Sequence, residues 1–424
     1  MKIKQLKEIV TNRQLDDIFR QLYVDDSLLD HQYTRYQIAL QAYEKYFGED
    51  DCVLVSSSGR TEVCGNHTDH QHGNVVAASL NLDAIAVAAP CKDVIEVVSE
   101  EERYPVIYLD QLEKKDAEEG TSIALIKGVI ARLKELGYSI GGFKAYVTSE
   151  VLIGSGMSSS ACFEVLMGTI ISCLYNEGTI EPVTLAKVGQ YSENVYFGKP
   201  CGLMDQVACS VGGLVTIDFE DTEKPIVEKI NVDFASFHSS LCIIDTKGSH
   251  ADLTEEYAAV PKEMLDVARY FHKSVLREVD PEDFYQNVAE IRRNLDDRSV
   301  LRAFHFFNEQ KRVQRLIAAL KAENYGEFKE VIKESGNSSY KYLQNVYANS
   351  DYQNQSVAIG LAFSEEILNG HGVCRVHGGG FSGTIQAFID DDYVEEYKQK
   401  MEKIFGENTC HVLKIRDIST TRVI

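Results

Sequence analysis

The chain has 424 residues, of which 44% are hydrophobic and 25% charged, a composition that excludes a disordered or collagenous protein. It carries 43 basic and 65 acidic residues, and the resulting formal net charge of −22 argues against binding nucleic acid or an anionic membrane through a broad basic face. At roughly 100–200 residues per domain, this length predicts two domains or two closely joined lobes.

Targeting and redox features favour a cytoplasmic protein. The first residues lack the uncharged apolar core of a secretory signal, and no run of about 18 apolar residues is present to span a membrane. The ten cysteines, from Cys52 to Cys410, include no Cys-x-x-Cys pair, which is typical of reduced and mostly buried thiols rather than of a disulfide framework. We therefore expect a cytoplasmic location.

Helices and strands alternate in the first half of the chain. Apolar residues recur at helical spacing in three segments that we expect to be helices, 31–48, 121–137 and the apolar stretch 161–175. Alternating or β-branched apolar residues predict strands at 52–59, in two stretches between 75 and 98, and at 142–151. Gly48 and Gly137 are expected to end the first two helices.

The second half of the chain has a different pattern. From about residue 254 onward, long charged amphipathic helices predominate, interrupted by short strands near 371–376, 383–389 and 411–415. We place a lobe boundary near residue 236, which gives an N-terminal lobe of residues 1–236 and a C-terminal lobe of residues 237–424. The predicted fold class is α+β, with glycine-rich motifs in both lobes.

The segment VLIGSGMSSSAC, residues 151–162, is a candidate phosphate-binding loop. Its glycines let backbone N–H groups approach an anion closely, and the start of the following helix adds about half a positive charge. Its serine hydroxyls can donate to phosphate or coordinate Mg²⁺. The alternative is a flexible loop that ends in an ordinary serine helix cap. The segment is not a Walker A loop, because no Gly-Lys-Ser/Thr follows.

Polar residues are concentrated in SSSGRTEVCGNHTDHQHGNVV, residues 56–76. Asn66, His67 and Asp69 together provide the donors and acceptors that sugar hydroxyls require. The histidines at 67, 70 and 72 leave a zinc site as an alternative, although their spacing does not match a structural zinc pattern. A solvated polar turn is a further alternative.

Asp205 lies in an otherwise apolar stretch, within SENVYFGKPCGLMDQVACSVGG, residues 192–213. A carboxylate there is costly unless it is paired or used, and beside a phosphate site it could accept the proton of a substrate hydroxyl. The alternative is that Asp205 caps the next helix. A second glycine-rich turn, VHGGGFSGTIQAF at residues 376–388, is a weak signal by itself, because adjacent glycines often mark a tight crossing of chain segments.

Taken together and in this order, the four motifs resemble those of the GHMP small-molecule kinases and, within them, of the galactokinases. GRTEVCGNHTDHQHG is similar to the signature Gly-Arg-x-Asn-x-Ile-Gly-Glu-His-Thr-Asp-Tyr-x-x-Gly, and GSGMSSSA to the phosphate loop Gly-x-Gly-Leu-Ser-Ser-Ser-Ala. GKPCGLMDQ matches Gly-x-Pro-Cys-Gly-x-Met-Asp-Gln, and GGGFSG fits the third motif. The resemblance covers roughly residues 28–400. It implies a two-lobed α+β fold with an interlobe active site, and an ATP-dependent, Mg²⁺-requiring sugar-1-kinase.

The resemblance also implies a role for each matching residue. Asp205 is the expected catalytic base on the anomeric hydroxyl, and Arg60 is expected to keep it ionised and to stabilise charge on the moving phosphoryl group. The expected sugar-binding residues are Asn66, His67, Asp69, Gly202 and Tyr257, with a packed helix aromatic as the alternative for Tyr257. The expected phosphate-binding residues are Gly154, Ser155, Gly156, Met157, Ser158, Ser159, Ser160 and Ala161. Ser160 and Glu193 are the expected Mg²⁺ ligands, with an exposed helical glutamate as the alternative for Glu193.

Five positions depart from the family's usual residues: Glu62, Asn66, His70, Met157 and Ser382 replace Asn, Glu, Tyr, Leu and Gly. Neutral Asn66 removes a carboxylate beside the sugar and adds N–H donors, while His70 could add positive charge. A uronic acid such as galacturonate thus becomes an alternative substrate, because two like charges at about 4 Å and an effective dielectric constant of about 20 would otherwise cost roughly 4 kcal/mol. Galactose remains the expected substrate, because no arginine adjoins Asn66 in sequence to clamp a carboxylate.

A sugar sensor, which binds sugar and ATP but signals through a protein partner, is an alternative from a different class. Such a protein is expected to have a damaged phosphate loop or base, whereas residues 158–161 and Asp205 are all intact here. We therefore expect an enzyme that binds a small sugar and MgATP, with no nucleic-acid or membrane partner.

Overall fold

The structure, a computed structural model, describes residues 1–151, 156–248, 253–381 and 383–424. Its α-helices are α1 (Ile3–Thr11), α2 (Asp16–Tyr23), α3 (Leu29–Phe47), α4 (Ser122–Glu135), α5 (Ser159–Tyr175), α6 (Pro182–Tyr191), α7 (Met204–Val211), α8 (Thr254–Tyr270), α9 (Pro281–Asn294), α10 (Asp297–Lys321), α11 (Tyr325–Ser338), α12 (Ser356–Leu368) and α13 (Val394–Phe405). Its strands are β1 (Val53–Cys64), β2 (Asn74–Cys91), β3 (Val94–Ser99), β4 (Glu102–Arg103), β5 (Ile107–Tyr108), β6 (Gly142–Ser149), β7 (Leu214–Asp218), β8 (Ile226–Ile230), β9 (Ser239–Asp245), β10 (Gly372–Val376), β11 (Thr384–Asp390), β12 (Cys410–Leu413) and β13 (Thr421–Arg422). Two π-helical segments continue α6 and α11, at Ser192–Phe197 and Ser339–Leu343.

Two sheets form the framework of the molecule. The larger sheet has nine strands, in the order β13-β1-β2-β6-β3-β4, with β5 paired to β3 and with β7 joining β2 to β8. Its β3 and β6 run parallel, whereas its other described pairs are antiparallel. The smaller sheet is antiparallel, in the order β10-β11-β9-β12. Helices combined with largely antiparallel sheets confirm the predicted α+β class.

The change from one sheet to the other lies close to the predicted lobe boundary. Strand β8, which ends at Ile230, belongs to the larger sheet, and β9, which begins at Ser239, belongs to the smaller one. The last strand, β13, returns to pair with β1, so the larger sheet also uses the end of the chain. The division into residues 1–236 and 237–424 stays a prediction.

Helices cover both faces of the larger sheet. On one face, Leu54, Ile85 and Val87 pack with α1, α2 and α3. On the opposite face, Val55 and Ala86 join the main core with α4 and α5. Because strand side chains alternate between the two faces, a sheet covered on both sides favours continuous apolar runs such as residues 84–90 of β2.

Strand β1 is longer than the sequence predicts. The pattern indicates a turn near residue 59, but the strand continues through Arg60 and Glu62 to Cys64, and all of it is buried. Its pairing with β2 shifts register between Ser58 and Arg60 and again between Glu62 and Cys64. Such β-bulges bend a strand and re-aim its side chains. Arg60 and Glu62, two positions apart, consequently lie on one face of β1 between the two irregularities.

The structure also bears on membrane insertion and on the cysteines. None of the described helices combines the length and the apolar character needed to cross a membrane. The ten cysteines are free thiols, most of them buried. Burial raises the pKa of the Cys162 thiol to about 12, so it stays protonated at neutral pH. The burial of most cysteines agrees with the expectation of mostly buried thiols.

Candidate active site

A cavity of about 690 Å³ lies where β1, the turn after it, the start of α7 and the glycine-rich turn after β10 meet. Among its lining residues are six that the sequence motifs indicate, Arg60, Asn66, His67, Asp69, Gly202 and Asp205. Its volume lies within the range of cavities that bind small molecules. The fold therefore brings the turn between β1 and β2 (residues 65–73, the sugar-signature turn) and Asp205, the candidate base, to one site.

Arg60 and Asp205 form a bidentate ion pair in the wall of this cavity. The guanidinium Nε lies 2.7 Å from Oδ1 of Asp205, and Nη2 lies 2.6 Å from Oδ2. Arg60 also donates to the carbonyl of Gly156 and to the hydroxyl of Ser158, which in turn donates to Asp205. The arginine side chain is 8% exposed, and that of Asp205 is 29% exposed. The carboxylate is thus held by the protein and remains open to a ligand.

The surroundings of Asp205 keep it ionised. Burial acts to raise the pKa of its carboxyl, but the charge and hydrogen bonds of Arg60, with the Ser158 hydroxyl, lower it below its ordinary value. A carboxylate can accept about four hydrogen bonds, and Arg60 and Ser158 supply three. A lone pair on Oδ1 is therefore available to a substrate hydroxyl. The helix-cap alternative is not supported, since the N-cap residue of α7 is Leu203 and no side chain caps it.

The serine-rich loop leads into α5 beside this ion pair. Ser158 is the N-cap residue, with a left-handed backbone conformation at φ 54°, and residues 159–161 begin the helix. Its hydrogen bonds to Arg60 and Asp205 tie the start of α5 to the candidate base. A helix N-terminus presents unpaired N–H groups and about half a positive charge. A phosphate group beside Asp205 would therefore be stabilised there.

The structure describes part of the phosphate-binding motif that precedes Ser158. Gly156 has a left-handed φ of 74° and its carbonyl accepts from Arg60. Met157 is buried, and its carbonyl oxygen lies 3.4 Å from the backbone nitrogen of Arg60. Gly154 and Ser155, like Ser382 in the glycine-rich turn, lie outside the described residues. The phosphate-binding roles of this motif stay predictions.

Ser160 and Glu193, the expected Mg²⁺ ligands, are neighbours. The Ser160 hydroxyl donates to Oε1 of Glu193 over 3.1 Å. Glu193 is buried, which does not fit the alternative of an exposed helical glutamate. Gln206 bridges Glu193 to a second buried carboxyl, Glu164, and among the described residues Oε1 of both Gln206 and Glu164 lacks a hydrogen-bond partner. Grouped, incompletely satisfied oxygen donors fit a hard cation such as Mg²⁺.

His67 and Asp69 face the cavity from the turn between β1 and β2. His67 Nε2 lies 2.9 Å from the carbonyl oxygen of Gly379, so this nitrogen carries the proton and donates. Burial lowers the pKa of His67, and the ring is therefore neutral at pH 7. Burial raises the pKa of Asp69, against the opposing effects of His67 and of the backbone N–H of His70. The pair supplies one nitrogen acceptor and one carboxyl group for sugar hydroxyls.

Gly202 lies directly against Asp69. A Cβ atom at position 202 would come within 2.6 Å of Oδ2 of Asp69, which is too close for any real contact. Gly202→Ala should therefore displace the carboxylate and raise the KM for sugar about 10- to 100-fold, because a hydrogen bond to a charged group contributes roughly 1.5–3 kcal/mol. Steady-state kinetics measures this, with Gly326→Ala as the control because a Cβ there makes an ordinary 3.5 Å contact. An unchanged KM would remove Asp69 from the sugar site.

The side-chain amide of Asn66 makes its hydrogen bonds within the protein. Its Nδ2 donates to Glu62 at 3.1 Å and to the carbonyl of Gly378 at 2.8 Å. Its Oδ1 accepts from Ser339 at 3.2 Å and from Asn345 at 2.8 Å. A primary amide donates two hydrogen bonds and accepts about two, so its capacity is used. The amide thus joins the sugar-signature turn to the glycine-rich turn, and a direct contact of Asn66 with sugar would require one of these bonds to break.

Tyr257 packs behind the glycine-rich turn. Its hydroxyl donates to the carbonyl of Gly380 at 2.8 Å, and its ring meets Phe381 edge-on with centroids 5.1 Å apart. A Cβ atom at Gly379 would come within 2.7 Å of the ring, so a glycine is needed for this packing. These contacts fit the packed-aromatic alternative, and a sugar contact of Tyr257 stays a prediction.

Removing the Tyr257 hydroxyl distinguishes packing from sugar binding. Tyr257→Phe is expected to lower the free energy of unfolding by about 0.5–1.5 kcal/mol, the usual net contribution of one hydrogen bond. The KM for sugar should stay within about twofold, because the aromatic ring and its contacts are retained. Urea unfolding and steady-state kinetics measure the two effects. A large rise in KM with unchanged stability would instead place the hydroxyl on the sugar.

The histidines of the sugar-signature turn do not support the zinc alternative. Within the described ranges, no group of three or more His, Cys, Asp or Glu side chains could hold a metal ion. Burial, together with the neighbouring His67 and His305, lowers the pKa of His70 to about 3. His70 is therefore neutral at pH 7 and does not supply the positive charge that the sequence allowed.

Two buried ion pairs support the cavity and were not indicated by the motifs. Arg375, on β10, lies 3.1 Å from Glu62. Glu309, on α10, pairs with Arg312 at 2.6 Å and accepts from the backbone N–H of Gly65 at 3.1 Å. Arg375 is a charged residue within the otherwise apolar strand β10, where a partner is needed to offset burial. Glu309 and Arg312 lie on α10, which carries many charged residues, so the sequence does not indicate that this pair is buried.

Two family models match the chain. Residues 124–213 match the GHMP kinases N terminal domain, and residues 41–90 match the galactokinase galactose-binding signature. The first range contains the serine-rich loop and Asp205, and the second contains Arg60 and the sugar-signature turn. The matched segments therefore contain β1, the turn after it and the start of α7, whereas the glycine-rich turn after β10 lies outside both ranges.

Two curated relatives agree with these matches. The galactokinase of Limosilactobacillus reuteri (strain DSM 20016) is 27% identical over 382 residues, which cover 87% of this chain and 93% of that protein. The galactokinase of Glaesserella parasuis serovar 5 (strain SH0165) is 28% identical over 379 residues, which cover 88% of this chain and 93% of that protein.

Two solved structures show the same fold. Lactococcus lactis galactokinase complexed with galactose matches with a TM-score of 0.75 at 24% identity, covering 90% of this chain and 98% of that one. The mevalonate kinase of Methanococcus jannaschii matches with a TM-score of 0.60 at 14% identity, covering 86% of this chain and 98% of that one. With the motifs, family models and relatives in agreement, the chain is similar to the GHMP kinases and, within them, to the galactokinases.

Proposed function

We propose that this chain transfers the γ-phosphoryl group of ATP to the anomeric hydroxyl of galactose. The GHMP kinases and galactokinases that this chain resembles are phosphotransferases with an alcohol group as acceptor and ATP as donor. The observation that carries the proposal is the Asp205 carboxylate, which Arg60 holds bidentately, which is partly exposed, and which adjoins the N-terminus of α5. The galactose-binding signature that matches residues 41–90 supports galactose as the sugar.

Asp205 is positioned to accept the proton of the attacking hydroxyl. The sugar oxygen forms a bond to the γ-phosphorus, the bond from that phosphorus to the ADP oxygen breaks, and the proton passes to Oδ1 of Asp205. An aspartate with a lowered pKa is a weak base, which fits a loose transition state in which the proton leaves late. Arg60 stabilises the Asp205 anion before transfer and the charge on the phosphoryl oxygens during it.

Ser160 and Glu193 are the residues that would hold Mg²⁺. When bound, the metal would neutralise charge on the ATP phosphates. The N-terminus of α5 adds fixed positive potential at the same end of the cavity. These local features matter because the chain as a whole carries a net charge of −22, which repels a free nucleotide.

We further propose a cytoplasmic protein whose ligands are a small sugar and MgATP. Ten free thiols are compatible with a reducing compartment. The strongly acidic composition disfavours nucleic acid as a partner.

A coupled ADP-release assay tests the proposal with galactose, galacturonate, glucose and N-acetylgalactosamine. We expect galactose to give the highest kcat/KM. Measurable sugar binding without sugar-stimulated ADP release from any of the four would favour the sensor alternative. A kcat/KM for galacturonate above that for galactose would show that the uronic acid is the substrate.

A further inference from the structure

Besides Asp205 and Asp69, the carboxylate of Glu62 lines the cavity, on the side formed by His67 and Asp69. Glu62 lies two residues after Arg60 on β1, and its 6% exposed side chain lines the cavity together with His67 and Asp69. Its Oε1 accepts from Arg375 at 3.1 Å and from Asn66 at 3.1 Å. Among the described residues, Oε2 has one hydrogen bond, a 3.3 Å contact from that same Asn66 nitrogen.

The hydrogen bonds of Glu62 and Asn66 leave acceptor capacity on Glu62. One N–H of Asn66 points to Gly378 at 2.8 Å, and the other is shared between the two carboxylate oxygens of Glu62. Each carboxylate oxygen can accept about two hydrogen bonds, so Oε2 can take another. The amide oxygen of Asn66 already accepts from Ser339 and Asn345. Of these two side chains, Glu62 and not Asn66 therefore has a free acceptor position.

Positions 62 and 66 exchange two residues of the family signature. The signature has Asn at the position of Glu62 and Glu at the position of Asn66, and in this chain the two side chains are hydrogen-bonded to each other. The exchange keeps one carboxylate, one amide and the charge of the pair. The carboxylate that position 66 lacks is thus supplied from position 62.

We infer that Glu62 determines sugar specificity in this chain: its Oε2 accepts a hydrogen bond from a sugar hydroxyl, and Asn66 is the positioning residue that orients the Glu62 carboxylate. This inference rests on the proposed function and deepens it by selecting a neutral hexose over a uronic acid. A carboxylate on the sugar would meet the Glu62 anion at the place where a hydroxyl donates to it.

The positive and titratable groups around Glu62 do not reverse the preference for a neutral hexose over a uronic acid. Arg375 is fully buried and is already paired with Glu62, so it is not presented to the sugar. His70 is neutral, because burial lowers its pKa. Burial raises the pKa of Glu62 to about 7, with the charge of Arg375 opposing this and those of Asp69 and Glu309 adding to it. A hydrogen bond donated by a sugar hydroxyl favours the ionised form of Glu62, and the repulsion of a sugar carboxylate is expected in full above pH 7, where Glu62 is ionised.

The test combines an isosteric variant with an exchange of the two side chains. Glu62→Gln removes the charge, and Glu62→Asn with Asn66→Glu restores the order of the family signature. Galactose affinity is measured by calorimetry, and kcat/KM is measured for galactose and galacturonate. Glu228→Gln, on the exposed part of β8, is the matched control.

We expect Glu62→Gln to weaken galactose binding about 10- to 100-fold, the loss given by one hydrogen bond to a charged group. The effect should lie mainly in KM, and the ratio of galacturonate to galactose turnover should rise at least about tenfold, since the repulsion is removed. Glu62→Asn and Asn66→Glu alone should each weaken galactose binding, whereas their combination should recover most of it, which a merely structural role for Glu62 would not produce. The control should bind galactose like the unaltered chain.

The outcomes separate this inference from the proposed function. Galactose binding and sugar preference that are unchanged in a folded Glu62→Gln variant overturn the inference alone. Thermal unfolding reports whether that variant folds; if it does not, failure of the exchange variant to recover galactose binding overturns the inference. Glu62-dependent galactose binding without ADP release overturns the proposed function alone. An absence of galactose binding by the unaltered chain overturns both.

Discussion

Replacing Asp205 with asparagine is expected to lower kcat about 10²- to 10⁴-fold, the usual contribution of a positioned general acid or base. The substitution keeps the size of the side chain but removes its charge and its ability to take a proton on Oδ1. The KM for sugar and the affinity for ATP should change little, because the proton transfer belongs to the transition state. Arg60, whose side chain is 8% exposed, loses its counter-charge, so a loss of about 1–3 kcal/mol in stability is expected as well.

Steady-state kinetics with separate binding measurements tests this expectation. Asp221→Asn, in an exposed turn, is the matched control and should keep the kcat of the unaltered chain. Calorimetric binding of sugar and of ATP shows whether the Asp205 variant still assembles the ground-state complex. A kcat close to that of the unaltered chain would show that Asp205 is not the base.

Replacing Arg60 with methionine is expected to lower kcat about 10²- to 10³-fold, the usual cost of removing one fixed donor from a developing charge. The pH profile should change as well. Burial raises the pKa of Asp205, and the guanidinium is the main group that lowers it. Without Arg60, the carboxylate takes up its proton at a higher pH, so the acidic limb of kcat/KM moves upward.

Arg60→Lys is the control that keeps the positive charge but lacks the planar guanidinium group. Compared with Arg60→Met, it should have a higher kcat, and the acidic limb of its kcat/KM profile should lie close to that of the unaltered chain. The reason is that an ammonium group keeps the positive charge but cannot form the bidentate contact. A kcat decrease in Arg60→Met with an unmoved acidic limb would mean that Arg60 acts on the phosphoryl group alone. An unchanged kcat would exclude both roles.

Local signals predict the main elements well where packing is regular. The helix predicted at 31–48 is α3, which ends at Phe47 and is followed by Gly48 at a positive φ of 82°. The helix predicted at 121–137 is α4, whose Thr121 side chain accepts from the backbone of Ala124. In both, apolar periodicity and capping chemistry indicate the same element.

Strand β1 shows why part of the fold could not be predicted locally. Gly59 followed by charged residues is typical of a turn, yet the strand continues to Cys64 with every residue buried. Burial of Arg60 and Glu62 is offset by Asp205 and Arg375, which lie 145 and 313 residues away in sequence. A local pattern contains no information about such distant partners.

The sequence motifs indicate residues that line the cavity but not the hydrogen bonds that their side chains make. The motifs indicated Arg60, His67, Asp69 and Asp205 as residues of one site, and all four line the cavity. Asn66 was expected to face the sugar, but its amide bonds to residues more than 270 positions away. The departure at position 66 therefore has to be interpreted together with Glu62. Only the folded structure shows that the two side chains are hydrogen-bonded to each other.

The identity of the acceptor oxygen is tested most directly by ³¹P NMR of a reaction mixture with ATP and galactose labelled with ¹³C at C1. Transfer to the anomeric hydroxyl predicts one new phosphomonoester resonance, split by coupling to the labelled carbon and growing with ADP. A new phosphomonoester without this coupling would place the phosphate on another hydroxyl. ADP formation without any sugar phosphate would contradict phosphoryl transfer to galactose altogether.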